Sequence, residues 1–185
     1  MPNICILSSS VRIGRNSHRV AVYFKNYLET NKLATVELLD LKEYNFPLFD
    51  ERLRFQESPT DQMLSFAAKI NAADGVLIVT PEYNGGYPAS LKNAIDLLYD
   101  EWHRKPVAIS TVSEGGFGGS QVITSLQFVL WKMRAWTVAA MFPVPNVSKS
   151  YDEKGIPVDS IATDKRAGIF IHELLQHIEA KKSIQ

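Results

Sequence analysis

Short apolar runs alternate along the chain with longer segments whose apolar residues recur every three or four positions. Residues 3–7 (NICIL), 35–41 (TVELLDL), 75–80 (GVLIVT), 106–112 (PVAISTV) and 136–141 (WTVAAM) have strand length and are mostly apolar, as expected of strands buried in a sheet. Helices are expected over about 16–32, from 58–61 to about 74, from 88 to about 99, from about 120 to 133 and from about 164 to 181. In the first, Val20, Phe24 and Leu28 recur every four residues, with Val22 and Tyr23 alongside. In the second, which Pro59 opens at or near its first turn, Leu64, Ala67, Ala68, Asn71 and Ala72 mark a small-residue packing face. In the last, Ile169, Leu174 and Ile178 are expected to point inward. Residues 42–58 have no period but carry Phe46, Pro47, Phe49 and Phe55. That is long for a connection and points to a functional or interface loop. Residues 143–163, with three prolines and one glycine, read as an extended surface connection.

Strand and helix alternate five times, which implies an α/β fold with a parallel sheet and helices on both faces. Five strands fit the flavodoxin-like order 2-1-3-4-5, a three-layer sandwich, better than the six-stranded dinucleotide fold. No repeat or boundary interrupts the chain, so residues 1–185 are expected to form a single domain. In that order the loops 8–17, 80–88 and 113–120 follow neighbouring strands. They gather at the carboxyl edge of the sheet, at the switch point between strands one and three, where open α/β sheets bind ligands.

Composition narrows the class without choosing a ligand. The chain has 185 residues, 45% apolar and 22% charged, with equal numbers of basic and acidic side chains. A neutral chain lacks the basic excess of a nucleic-acid partner. No apolar run approaches the roughly 20 residues needed to span a bilayer, so membrane insertion is not expected. Residues 1–8 lack a basic n-region, so no signal peptide is expected and a reducing cytoplasm is the default setting. The one cysteine, Cys5, sits in the first strand and reads as a small buried hydrophobe. One thiol cannot hold an iron–sulfur cluster.

The three loops carry the candidate chemistry. Loop 8–17 lacks the G-x-G-x-x-G fingerprint of a pyrophosphate site. It offers Ser8, Ser9, Ser10, Asn16 and Ser17 with Arg12 and Arg15, directly before a helix. Hydroxyls, cations and unpaired helix N–H groups together suit a single terminal phosphate. A helix cap alone would need only Asn16 or Ser17. Loop 80–88 places Tyr83, Asn84 and the glycine pair Gly85-Gly86, which permits a tight turn, before Pro88 in the first turn of the next helix. Its backbone N–H groups suit a flat heteroaromatic ring better than Glu82, which has no partner in the sequence, suits a general base. Loop 113–120 has four glycines, which allow close backbone approach to a planar ligand; Phe117 among them could stack or be buried.

Other constellations carry less. His172-Glu173 and His177 resemble a zincin helix, but the histidines are five apart rather than four and do not share a metal-binding face. His18, His103, Glu82 and Cys5 form no catalytic triad. Phe128, Trp131, Met133 and Trp136 read as core or subunit interface. No metal site and no catalytic side chain are expected.

Ser9-Ser10-Val11-Arg12 with Ser17, then Pro81-Glu82-Tyr83-Asn84, Pro88, the run Leu91-Lys92-Asn93-Ala94-Ile95-Asp96 and the glycine loop resemble the NADPH-dependent FMN reductase family, over roughly residues 3–142. That family includes quinone, azo-dye and chromate reductases. The resemblance implies a flavodoxin-like fold, non-covalent FMN, NADPH or NADH as co-substrate, a cytoplasmic location and homodimers or homotetramers. It matches Ser10, Arg12, Asn16 and Ser17, in the loop that also holds Ser8 and Arg15, to the phosphate site. Pro81, Glu82, Tyr83 and Asn84, with Gly85 beside them, match the loop along the isoalloxazine and ribityl chain. Ser113, Gly115, Gly116 and Gly118 match the loop on the ring's other edge. The family often has Gly where this chain has Ser9, so a positive φ there would strain the serine. The implied activity is hydride transfer from NAD(P)H to FMN, then electrons to a quinone, azo compound or similar acceptor. Flavin N5 then carries the chemistry, which accounts for the lack of an acid–base pair. Arg12 and Arg15 could meet the phosphates of the nicotinamide nucleotide, meet that of FMN, or face solvent. A non-enzymatic FMN-binding electron carrier on the same fold is the alternative, which the neutral charge disfavours. As an oligomer, the 42–58 loop or the 128–136 region would roof the neighbouring flavin.

Overall fold

The structure, a computed structural model, describes residues 1–184. Strands β1 (Asn3–Ser8), β2 (Thr35–Asp40), β3 (Gly75–Pro81), β4 (Pro106–Val112) and β5 (Trp136–Val144) form one all-parallel sheet in the order β2-β1-β3-β4-β5. This is the expected flavodoxin-like arrangement. The apolar runs are continuous where the sheet is covered on both faces: β4 is buried at every position, and β1 and β3 at all but one terminal residue. The edge strands β2 and β5 are partly exposed along their length. β2 ends one residue earlier than the sequence suggests, because the Asp40 carboxylate accepts from Lys42 N (3.0 Å) and starts a single helical turn, α2 (Leu41–Tyr44). β5 runs on to Val144, beyond the expected end at 141.

Successive strand residues face opposite layers. Cys5, Leu7, Val76, Ile78, Val107 and Ile109 pack beneath α3 (Asp61–Ala72), α4 (Ala89–Leu97) and α5 (Val122–Lys132). Ile4, Ile6, Leu77, Val79 and Ala108 pack beneath α1 (Ser17–Thr30) and α7 (Ser160–Ile184). Val20, Phe24 and Leu28 are buried on α1 as their spacing predicts. The face of α3 differs from expectation. Met63, Phe66, Ala67 and Ile70 are buried, while Leu64 and Ala68 are exposed, because the larger side chains take the core and turn the helix accordingly. Pro59 lies outside that helix, whose N-cap is Thr60. On α7, Phe170 and Ile171 take the place expected of Ile169, which is exposed; Leu174 and Ile178 are buried.

The two long connections are also more structured than their composition implies. Between α2 and α3, Tyr44 and Phe46 pack on Phe66, and the Asn93 amide on α4 donates to Pro47 O (2.7 Å) and accepts from Phe49 N. After β5, α6 (Val147–Ser150) and Tyr151 bury Val147 and Tyr151 against the α1–α7 core, so this segment is not merely a surface connection.

β4 and β5 lose register between Val107 and Ile109. There the N–H groups of Ala139 and Ala140 donate to the Glu173 carboxylate of α7, at 2.7 and 3.1 Å. Lys105, before β4, is buried, and its ammonium donates to the carbonyls of Asn71 (3.1 Å) and Ala73 at the end of α3. Burial pushes its pKa down to about 8. The unfolded chain, with a lysine pKa of about 10.4, therefore binds the proton more tightly than the folded one. Stability rises with pH across that window. Urea unfolding of wild type and Lys105→Met should show the wild type gaining on the variant by about 1.4 kcal/mol per pH unit between pH 8 and 10. A difference that stays constant over this range would place the amine in a water-like environment.

Candidate functional site

The loops after β1, β3 and β4 meet at the carboxyl edge of the sheet around a cleft of about 250 Å³. Its walls include Ser10, Arg12 and Ser17 from the first loop, Pro81 and Tyr83 from the second, and Ser113 from the third. The floor of the first loop is buried serine. Ser9 N donates to Val79 O at 3.1 Å, and Ser9 O accepts from the Ser90 hydroxyl, so the segment is fixed to β3 and α4. Ser9 is not among the residues with positive φ, so the position does not require a glycine. Ser10 Oγ and the Tyr83 hydroxyl lie 2.6 Å apart and tie the first loop to the second across the cleft.

The start of α1 opens into this space. It has no side-chain cap: the Asn16 amide instead donates to Glu114 at 2.7 Å. Its first turn carries no acidic residue, and the Ser17 hydroxyl is buried without a hydrogen-bond partner. Unpaired N–H groups, a helix dipole and an orphaned hydroxyl are what an anion such as a phosphate would satisfy.

The second loop is a hairpin. Tyr83 and Gly86 exchange backbone hydrogen bonds, at 2.8 and 3.1 Å, around Asn84 and Gly85, both at positive φ. The tight turn is therefore Asn84-Gly85, a favoured pairing for such turns, rather than the glycine pair. Pro88 is the N-cap of α4, one position outside its first turn. In the third loop Gly118 and Gly119 both carry a geometric demand, Gly118 at φ +62 against the end of β5 and Gly119 at φ +73 against Val112 and Glu82. Gly116 stands in open space, a Cβ on Gly115 would meet Ser113 Oγ at 3.7 Å, and Phe117 is exposed.

Charges divide unequally around the cleft. Arg15 makes a two-pronged ion pair with the buried Asp40, and one of its N–H groups donates to Ser10 O at 2.8 Å. Arg12 is exposed, and its guanidinium has no hydrogen-bond or ion-pair partner among the described residues. Glu114 accepts from the Ser148 hydroxyl (2.7 Å) and from Asn16, and these bonds hold its carboxyl below the usual range. His18 hydrogen-bonds Ser8 Oγ at 3.0 Å. Burial lowers its pKa despite Asp40 at 3.6 Å, so at neutral pH it is an uncharged partner of the serine rather than half of an ion pair.

Of the candidates named from the sequence, Ser10, Arg12, Arg15, Asn16, Ser17, Pro81, Glu82, Tyr83 and Ser113 line this cleft. Ser8 is turned to His18 beneath the loop, Asn84 and Gly85 form the hairpin tip, and Gly115, Gly116 and Gly118 lie along the third loop outside the lining. Glu114 and Val147 line the cleft, and Asp40 holds Arg15 behind it, although none of the three stands out in the sequence. Adjacency to Ser113 is a local signal for Glu114; the contacts of Asp40 and Val147 span long separations and have none. The zincin-like helix is otherwise employed, since Glu173 serves the β5 backbone. Among the described residues no three His, Cys, Asp or Glu side chains cluster to hold a metal, and no helix is long and apolar enough to cross a membrane.

The sequence profile described as NADPH-dependent FMN reductase matches residues 2–149. The protein of Saccharomyces cerevisiae named NAD(P)H-dependent FMN reductase LOT6 is 39% identical over 138 residues, covering 68% of this chain and 71% of that one. A Schizosaccharomyces pombe protein of the same description is 32% identical over 173 residues, covering 90% of this chain and 84% of its own. A Pseudomonas putida quinone reductase is 41% identical over 92 residues, covering 47% and 46%. Among solved structures, the flavoenzyme NAD(P)H:(acceptor) oxidoreductase FerB from Paracoccus denitrificans superposes with a TM-score of 0.75 at 24% identity, covering 97% of this chain and 98% of that one, and so shares the fold.

Proposed function

Because the chain belongs to the NADPH-dependent FMN reductase family, we propose that it binds FMN non-covalently in the cleft at the carboxyl edge of the sheet and works as an NAD(P)H-dependent oxidoreductase. The observation that carries this reading is the start of α1, where uncapped N–H groups and the buried Ser17 hydroxyl face the cleft beside Ser10 and Arg12. When bound, FMN supplies the redox chemistry, accepting a hydride from NAD(P)H and passing electrons to a quinone or similar acceptor. The protein's part is to hold and to expose. Ser10, Arg12, Asn16, Ser17 and the α1 N–H groups take the phosphate. Pro81, Glu82, Tyr83, Asn84 and Gly85 flank one side of the ring and ribityl chain, and Ser113, Gly115, Gly116 and Gly118 the other. The Tyr83–Ser10 bond fixes the spacing between phosphate and ring sites. No side chain is assigned a proton-transfer role. The whole chain acts as one FMN-binding domain, in a cytoplasmic setting that suits its single, buried free thiol.

The working form in this reading is a dimer or tetramer. Leu48 and Phe55 on one loop, and Phe128 with Trp131 on α5, are large apolar side chains left largely exposed, as expected of contacts to a second copy. The test is a visible spectrum of the purified protein with FMN, then anaerobic NADPH or NADH, with the same sample run on gel filtration. Flavin that bleaches within seconds and recovers on adding a quinone is the expected result. Flavin that binds but stays oxidised with both nucleotides would make the protein an electron carrier. A strict monomer at micromolar concentration would sink the oligomer.

A further inference from the structure

The two arginines of the first loop have the same charge but different surroundings. The Arg15 guanidinium is committed to the Asp40 carboxylate by two hydrogen bonds and to the Ser10 carbonyl by a third contact. Asp40 stands at the end of β2, nine-tenths or more buried, and also accepts from Lys42 N. Through Arg15 near its end and the Ser10 carbonyl near its start, the loop between β1 and α1 is thereby strapped to the neighbouring strand. Such a pair is neutral as a unit, and a planar bidentate fork has strict geometry. Arg12, three residues earlier, has no such partner among the described residues.

Building on the FMN reading above, we propose that Arg15 is a strut rather than a phosphate ligand. Asp40 is the positioning residue that holds the strut, and Arg12 alone brings cationic charge to the phosphate. Asp40 touches no ligand in this assignment. It acts through Arg15 on the Ser10 carbonyl, and so on the segment that carries the Ser10 hydroxyl and delivers the chain into α1.

The test compares FMN with riboflavin, which lacks the phosphate, as probes for the flavin-stripped full-length chain. Binding is followed by flavin fluorescence over a range of salt concentrations. Arg12→Gln should weaken FMN by about tenfold or more, leave riboflavin within about twofold, and flatten the salt dependence of FMN binding by one charge. Arg15→Lys should weaken FMN by about tenfold with the wild-type salt dependence, and Asp40→Asn should weaken it by about tenfold although it leaves the loop one positive charge richer. Asn lacks the charge, and Lys keeps it but cannot form the fork. Arg15→Lys also keeps the loop charge intact should Asp40→Asn fail to fold. If Arg15 instead binds phosphate, Asp40→Asn frees it and FMN binds as tightly or more tightly, or Arg15→Lys retains near-wild-type affinity. Either result overturns the proposal and leaves the FMN reading standing. A wild-type chain that binds FMN no better than riboflavin removes the phosphate site itself, and both readings fall.

Discussion

Gly118→Ala is expected to weaken FMN binding by about 10–100-fold and to lower stability by about 2–4 kcal/mol. The residue sits at φ +62, where an L side chain is strained by about 1–2 kcal/mol. The added Cβ has nowhere to go. It would lie 2.8 Å from Val144 N and 3.0 Å from both Pro143 Cβ and Pro145 N, all at the end of β5. Backbone and proline carbons cannot swing aside as a flexible side chain can, so the third loop must lift. That lift carries Ser113 and Glu114, which line the cleft, and strains the hydrogen bond from Ser113 N to Val144 O. Flavin titration and urea unfolding of the variant should move together. Gly116→Ala, whose new methyl group would have nothing of the protein within 4 Å, serves as the control for folding and should leave stability unchanged. A Gly118→Ala protein with wild-type affinity would mean that the third loop does not help to hold the flavin.

Trp102→Ala should cost about 3–5 kcal/mol, a large share of the stability of an ordinary domain. Trp102 is fully buried and follows α4 in a short turn, with its indole N–H donating to Ile95 O at 3.1 Å. Truncation therefore opens a cavity and removes one of the two hydrogen bonds that Ile95 O accepts, the other coming from Leu98 N at 3.3 Å. Thermal melts should fall by about 8–15 °C. Trp102→Phe, which keeps most of the volume and loses the N–H, should cost about 1–3 kcal/mol. A large fall for Phe and a small one for Ala would invert this account. Because α4 begins where the Tyr83–Gly86 hairpin ends, loosening its far end is also expected to weaken the flavin site.

What is legible in the sequence follows from which interactions are local. The strands are readable because a parallel sheet buried on both faces needs unbroken apolar runs, and β3 and β4 supply them. Their order and the switch point then place Ser10, Ser17, Tyr83 and Ser113 at one edge without knowledge of any contact. The face of α3 misleads because Ala67 and Ala72 suggest a small-residue seam, whereas Met63, Phe66 and Ile70 compete better for the core. The Asn84-Gly85 turn is written in the sequence as an Asn-Gly pair, but the adjacent Gly85-Gly86 is an equally plain turn signal and competes with it. Asp40 has no such signal. Its meeting with Arg15 joins positions 25 apart through the pairing of β1 with β2. The Asn16–Glu114 bond spans 98 residues.

The reach of Glu173 onto Ala139 and Ala140 has a consequence for the protein in a crowded solution. β5 is an outer strand, and an outer strand offers its free N–H row as a template for the strand of another molecule. Here two of those donors are already occupied, by a carboxylate that an incoming backbone would have to displace and leave charged against its own carbonyls. The bulge beside them spoils the regular spacing such a strand would need. The side chain that steadies the irregular edge of the sheet is thus also its guard against strand-to-strand self-association. A chain with large apolar side chains exposed elsewhere is thereby spared indiscriminate pairing along this edge.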